Sequence, residues 1–357
     1  MNPHYARELG EPRLRDDFPG EVPVKLTKDE LRKLSALSQW RSVLQIAAEW
    51  SLIIGAIWVC QLFWNPILYA ATVMFIGARQ HALLILMHDG AHRRLFRNRR
   101  VNDWAAELLL AWPHFVSAHA YRHNHVAHHR YLNTAQDPDW ARKQGDPAWV
   151  FPKPRRVLVW LLLRDLSGLG VLDLLRTVRN LSAKDARVTK GYALARGGFY
   201  VAVAVALAWA GAVKLFILYW VIPFSTWLIL ILHVRSIAEH FAMRGGSGAY
   251  AQTRTTLPSL FERVLVAPKR VNFHVEHHFF PSVPFYRLPE LHALLMSKPG
   301  CRDSVHLTRT YLGVLRECTA RAEGRPDSEP GQKRAAPMDA LVSSARHNDD
   351  RRIEASW

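Results

Sequence analysis

His274-Val-Glu-His-His278 places three imidazoles within five residues, and His88-Asp-Gly-Ala-His92 and His125-Val-Ala-His-His129 do much the same. Eight of the chain's eighteen histidines fall in these three windows. On a helix, residues four apart share one face, about 6 Å apart along the axis. His88 and His92 can therefore address one point, and so can His125 and His129. The adjacent His128 and His129 are turned about 100° from each other and cannot both easily serve one ion. Eight imidazoles also exceed the six positions of an octahedral ion, and catalysis needs a vacant position as well. Two neighbouring metals fit the count.

A lone histidine on an apolar helix is more often a packed core residue than a ligand; three spaced clusters reverse that expectation. Imidazole suits zinc, copper, iron and nickel alike, so ring chemistry does not name the metal. Zinc sites usually take only four ligands, which disfavours zinc. The His-Glu-x-x-His pattern of zinc peptidases is absent, because Val275, not glutamate, follows His274. His240, closing the stretch Arg235-Ser-Ile-Ala-Glu-His240, offers a ninth ring. His81, His233, His114, His119 and His123 are read as packing or orienting groups.

Outward from the clusters, long stretches almost free of charge alternate with arginine-dense ones, as in membrane proteins. From Val43 to Met87 the apolar stretch is more than twice the roughly 20 residues that cross a bilayer, and Asn65-Pro66 interrupts it. A second pair of spans follows from Gly197, turning at Gly211 to Lys214. Spans are expected at 43–63, 66–86, 197–213 and 216–232. Eight Lys or Arg residues precede the first span, whereas the two short turns hold only Lys214, so the large segments and both termini are expected in the cytoplasm. An integral, multi-pass protein of a bacterial inner membrane fits this pattern.

The expected architecture is an all-α membrane protein: four transmembrane helices in two hairpins, with a cytoplasmic helical cap holding a histidine-rich di-metal site. Residues 1–42 read as a polar tail and short helix, 43–300 as the membrane domain, and 301–357 as a cytoplasmic segment that is mostly disordered tail. Val157 to Leu163 and Leu166 to Val178 suit helices on the membrane surface or inside the cap. Glu49 and Arg79, at membrane depth, are expected to snorkel to the interface. The formal charge of +17 sits mostly beside apolar runs, including Arg93, Arg94 and Arg97, and points to anionic lipid, not nucleic acid. Three cysteines without CxxC spacing imply a reduced setting.

The strings HDGAH, HNHVAHH, RSIAEH and NFHVEHHFFPSVPFYRLPELH, in that order, resemble the histidine boxes of the membrane fatty acid desaturase superfamily. The resemblance spans roughly residues 43–300. It implies two iron ions, cycling between Fe2+ and Fe3+, that use O2 as co-substrate and two external electrons to remove hydrogen from an unactivated C–H bond. By position it makes His88, His92, His125, His128, His129, His240, His274, His277 and His278 metal ligands. Asp89, Asn133, Asp137 and Asp139 resemble polar positions that orient such ligands, and also suit helix capping and turns. Ser236 stands where acyl-CoA desaturases carry an asparagine that reaches the metal through water. His274 replaces the glutamine usual in desaturases that act near the carboxyl end.

The resemblance implies C=C formation in a fatty acyl chain or related lipid-like substrate. It leaves open a hydroxylase or ketolase, or desaturation of a small amino-acid-derived metabolite such as the precursor of rhizobitoxine. No haem-binding His-Pro-Gly-Gly string is present, so electrons are expected from a separate ferredoxin-, rubredoxin- or flavoprotein-like donor. The rival of another class is a histidine-rich metal transporter or sensor, whose ligands would line a path through the membrane.

Overall fold

The computed structural model describes residues 24–173, 189–243 and 252–319. The N-terminal tail through residue 23, the far end of the 166–178 segment and the polar tail after Thr319 lie outside these residues.

Helix α1 (Lys28–Leu34) starts at a capping box, in which Thr27 and Glu30 each satisfy the other's backbone N–H. It leads into α2 (Gln39–Leu62), which Phe63–Asn65 joins to α3 (Pro66–Ala91). Asn65 caps α3 by accepting from Leu68 N at 2.9 Å, and Pro66 occupies the first turn, where a missing N–H costs nothing. Four stretches are long and apolar enough to cross a membrane: Lys28–Leu62, Pro66–Ala91, Lys190–Trp209 and Val213–His240. They extend past the expected spans at the ends that carry His88 and His240.

After α3 the chain forms α4 (Arg99–Ala105), then a wide π-helical turn, Ala106–Ala111. Next come α5 (Ala118–Tyr131), which carries the second histidine box, the short α6 (Pro138–Lys143), and α7 (Arg155–Leu166). Helix α7 turns Val159, Trp160 and Leu163 outward. Helix α8 (Lys190–Trp209) buries none of its residues, and Leu194, Val201, Val205 and Trp209 stand fully outward. An apolar helix so exposed belongs in lipid, not water. The last long stretch is α9 (Val213–Phe216), two π-helical turns at Ile217–Val221 and Phe224–Leu228, and α10 (Ile229–His240). Pro223, between the π turns, lacks the N–H that a regular ladder would use. Gly77 lets the second and fourth stretches meet, since a Cβ there would lie 2.8 Å from Trp227 Cβ.

Two expectations need correction. Glu49 and Arg79 do not snorkel: they are 2 % and 8 % exposed, and Arg79 Nη1 lies 3.2 Å from Glu49 Oε2. Lys269 Nζ joins them, 2.6 Å from Glu49 Oε1, and Arg79 also donates to Val264 O. Each charge compensates another inside the protein, so neither needs to reach water.

The structure is also not purely helical. Strands β1 (Arg254–Leu257) and β2 (His306–Arg309) pair in parallel, with Arg254 opposite His306. Between them lie α11 (Leu260–Leu265), α12 (His274–Phe279) and α13 (Leu288–Ser297), and α14 (Tyr311–Glu317) follows. Residues 301–319 thus pack into the same body as the rest, burying Cys301, Val305, Tyr311, Val314 and Cys318. All three cysteines are buried.

Candidate metal centre

The histidine boxes converge from four helices. His88 and His92 come from the end of α3, His125, His128 and His129 from α5, His240 from the end of α10, and the last three from α12. Local contacts fix this meeting. Arg122 on α5 donates to the carbonyls of Ala91 at 2.7 Å and Gly90 at 3.0 Å, clamping the second box to the first. Gly90 is needed for that approach, because a Cβ there would lie 2.8 Å from Ala106 Cβ. Glu107, on the π turn, accepts from the backbone N–H groups of Ala118 at 3.1 Å and His119 at 2.8 Å, and so caps α5.

The rings fall into two adjoining groups. His88, His92, His125, His129 and His277 present nitrogens within 4.8 Å of one another. His128, His240 and His278 form a second set, and His274 joins it through His240. His129 Nε2 lies 3.0 Å from the Nε2 atoms of both His125 and His277. His274 Nε2 lies 2.8 Å from His240 Nε2 and 3.0 Å from His278 Nε2. All nine positions expected to bind metal are therefore together.

The outer nitrogens explain why the inner ones carry lone pairs. His128 Nδ1 donates to Asp137, at 2.9 and 3.0 Å from its two oxygens, and His240 Nδ1 donates to Gln252 O at 3.3 Å. His274 Nδ1 lies 3.5 Å from Glu239 Oε1, and His88 Nδ1 3.6 Å from Asp89 Oδ1. A neutral imidazole that gives its proton outward turns a lone pair inward. Two such lone pairs facing each other, as at His240 and His274, repel unless a cation lies between them. His88 Nε2 and His92 Nε2 are likewise buried with no hydrogen-bond partner. Burial, then the neighbouring rings, holds His125, His129, His274, His277 and His278 well below the ordinary imidazole range, so they stay neutral. Burial, with the charges of Arg94 and Arg122, pushes His92 down to about 3. Neutral and turned inward toward one another, these groups fit metal ions.

The residues expected to orient ligands take different places. Asp137 holds His128, accepts from Asn133 N at 3.0 Å and from Asp139 N at 2.8 Å, and so combines orienting with capping. Asn133, in the left-handed region at φ 55°, donates to Gln252 O, the same carbonyl that His240 uses. Asp89 accepts from Phe285 N at 3.0 Å, tying the first box to the segment after the third. Asp139 is held by Arg142 at 2.8 Å and Lys143 at 2.5 Å, not by a histidine ring. Ser236 meets Lys143 Nζ at 2.5 Å.

His81, His114 and His233 serve packing: their Nδ1 atoms meet Val266 O at 3.0 Å, Leu110 O at 2.7 Å and Asp165 Oδ2 at 2.5 Å. Sequence reading missed Glu239, beside His240 and His274, and Glu276, fully buried between Thr255 and His292. The only local signal for either was a carboxylate next to a box histidine.

Apolar helices of spanning length and a cluster of nine imidazoles able to hold metal ions define a membrane protein with a candidate metal centre. The model of the family described as fatty acid desaturase matches residues 62–310, and the chain belongs to that family. It is 29% identical over 252 residues to dihydrorhizobitoxine desaturase of Bradyrhizobium elkanii, covering 68% of this chain and 71% of that protein. It is 32% identical over 262 residues to the sphingolipid delta(4)-desaturase/C4-monooxygenase DES2 of Homo sapiens, covering 69% of each. It is 21% identical over 317 residues to a chloroplastic omega-6 fatty acid desaturase of Glycine max, covering 82% of this chain and 70% of that one. The protein is an oxidoreductase.

Proposed function

We propose that this protein is an oxygen-dependent di-iron desaturase that introduces a C=C bond into a fatty acyl chain or related lipid-like substrate. The observation that carries the reading is the sorting of nine imidazoles, eight of them buried, into two adjoining groups. His88, His92, His125, His129 and His277 would hold one iron, and His128, His240, His274 and His278 the other. Iron bound there supplies the power to reduce dioxygen and draw hydrogen from an unactivated C–H bond. In total, the substrate loses two hydrogen atoms and dioxygen takes these, two electrons from a donor and two protons, giving two waters.

The chain's own residues position the reaction. Asp137 and Gln252 O fix the tautomers of His128 and His240 and keep their inner nitrogens ready to bind. A cavity of about 310 Å³ reaches His125, His128, His240 and His274, giving substrate access to both groups. In this reading the four spanning helices form two hairpins with the catalytic cap and both termini in the cytoplasm. The membrane is a bacterial inner membrane, and a separate ferredoxin-, rubredoxin- or flavoprotein-like protein delivers the electrons.

Two relatives favour specific alternatives. The dihydrorhizobitoxine desaturase supports a small amino-acid-derived substrate, and the name of the human relative joins desaturation to C4 oxygenation. Return of oxygen to the substrate carbon would give an alcohol and one water from the same dioxygen and electrons. The test is expression in a host lacking comparable enzymes, with lipid and polar metabolites compared by mass spectrometry against a His128→Ala control. A product two mass units lighter than its precursor marks desaturation, and one sixteen units heavier marks hydroxylation. Purified protein without iron would refute the reading.

A further inference from the structure

The cavity beside the histidines is charged, and its charges do not cancel. Among the described residues four cations line it, Arg142, Lys143, Arg196 and Arg235, against two carboxylates, Asp139 and Glu239, leaving a surplus of two positive charges. Arg235 and Glu239 pair one to one. Arg142 and Lys143 share the single carboxylate of Asp139. Arg196 faces neutral groups: its Nη2 donates to Phe115 O at 3.0 Å, its Nε lies 3.4 Å from Tyr200 OH, and its guanidinium sits over the Tyr200 ring. Among the described residues no carboxylate pairs with it. These contacts fix the direction of the guanidinium without neutralising it.

We infer that this cavity binds its substrate by a carboxylate, held by Arg196 and by the positive charge of Arg142 and Lys143 that Asp139 alone does not compensate. The inference rests on the desaturase reading and narrows its substrate class. A half-buried guanidinium in a low-dielectric site gains most from a group of opposite charge and matching fork geometry, and a carboxylate supplies both. An ammonium group alone would meet two acids already engaged by cations. A wholly neutral head group would leave the surplus charge uncompensated. The rest of the lining suits a short carbon chain: Phe115, Val116, Ala120 and Leu232 are apolar, while the Asn124 amide can donate to oxygen. At about 310 Å³ the cavity lies at the small end of the roughly 300–1,000 Å³ range of small-molecule sites. Histidines of both groups border the same space, so a substrate anchored at Arg196 brings its carbon chain to the metals.

Binding of octanoate, 2-aminooctanoate and octanamide to purified, iron-loaded protein in detergent, followed by equilibrium dialysis, tests this directly. Either carboxylate should bind at least about tenfold more tightly than the amide, and Arg196→Gln should remove between about ten- and a hundredfold of that affinity. Arg142→Gln, which leaves Asp139 paired with Lys143, should cost several-fold and stands in if Arg196→Gln does not fold. Tighter binding of octanoate marks a free acyl substrate, and tighter binding of 2-aminooctanoate an amino-acid one. Equal affinity for octanoate and octanamide, or no change in folded Arg196→Gln, overturns the inference. Iron content and turnover of a neutral lipid are read on the same samples. Iron-loaded protein that ignores the carboxylate refutes this inference and spares the desaturase reading, whereas carboxylate-selective protein that takes up no iron does the reverse.

Discussion

Glu49, Arg79 and Lys269 form one buried polar cluster, and the nine imidazoles form another. In the first, the protein supplies the partners: Arg79 and Lys269 converge on one carboxylate, with Val264 O and Gln45 accepting as well. In the second, the outer edge is satisfied by Asp137, Gln252 O and Glu239 while the inner nitrogens face only one another. A polar group buried against its opposite marks architecture. A polar group buried against its like marks a place made for something else.

That contrast can be broken from either side. His128→Ala should abolish turnover, a loss of more than about 100-fold, because outer partners of ligands alone are worth 10–100-fold; the readouts are product yield and iron per protein. Glu49→Gln strands two cations and should cost about 3–5 kcal/mol of stability, read by denaturant titration in mixed micelles. The molecules that remain folded should keep their full iron content; a loss there would erase the distinction between the clusters. Asp137→Asn keeps the hydrogen-bonding shape but not the charge, and should weaken metal binding by about 10–100-fold with little change in unfolding. Thr27→Ala, in a cap outside both clusters, should cost about 1 kcal/mol and leave iron untouched.

Much of the centre was legible because metal-binding histidines repeat at helical spacing, and spacing is a local property. His88 with His92, and His125 with His129, share faces wherever the helices go. The four apolar stretches were legible for a similar reason, since bilayer thickness sets their length. What stayed hidden depends on distant parts of the chain. Glu49 and Arg79 lie on different helices, and each alone looks like a charge seeking water. The β1–β2 pair joins two four-residue strands about fifty positions apart, too short to show a period of their own. The π turns at Ala106–Ala111 and Ile217–Val221 widen a helix by one residue, which hydrophobic periodicity does not register. The cavity's charge balance needed Arg196 and Arg235, from separate helices, placed beside Asp139.

The parallel pairing of β1 with β2 has a consequence for biosynthesis. Thr255, in β1, hydrogen-bonds Glu276 in the third box at 2.6 Å, and β1 finds its only strand partner among the described residues in 306–309. A growing chain that has already produced His88 and His129 must therefore add well over a hundred further residues before the last ligands can lock in place. At about 5–20 residues per second, that is many seconds during which the early boxes wait incomplete at the membrane. If the centre holds iron as proposed, delivery of the metal belongs after the ribosome has nearly finished, and a cell short of iron would accumulate fully made but empty chains, not truncated ones.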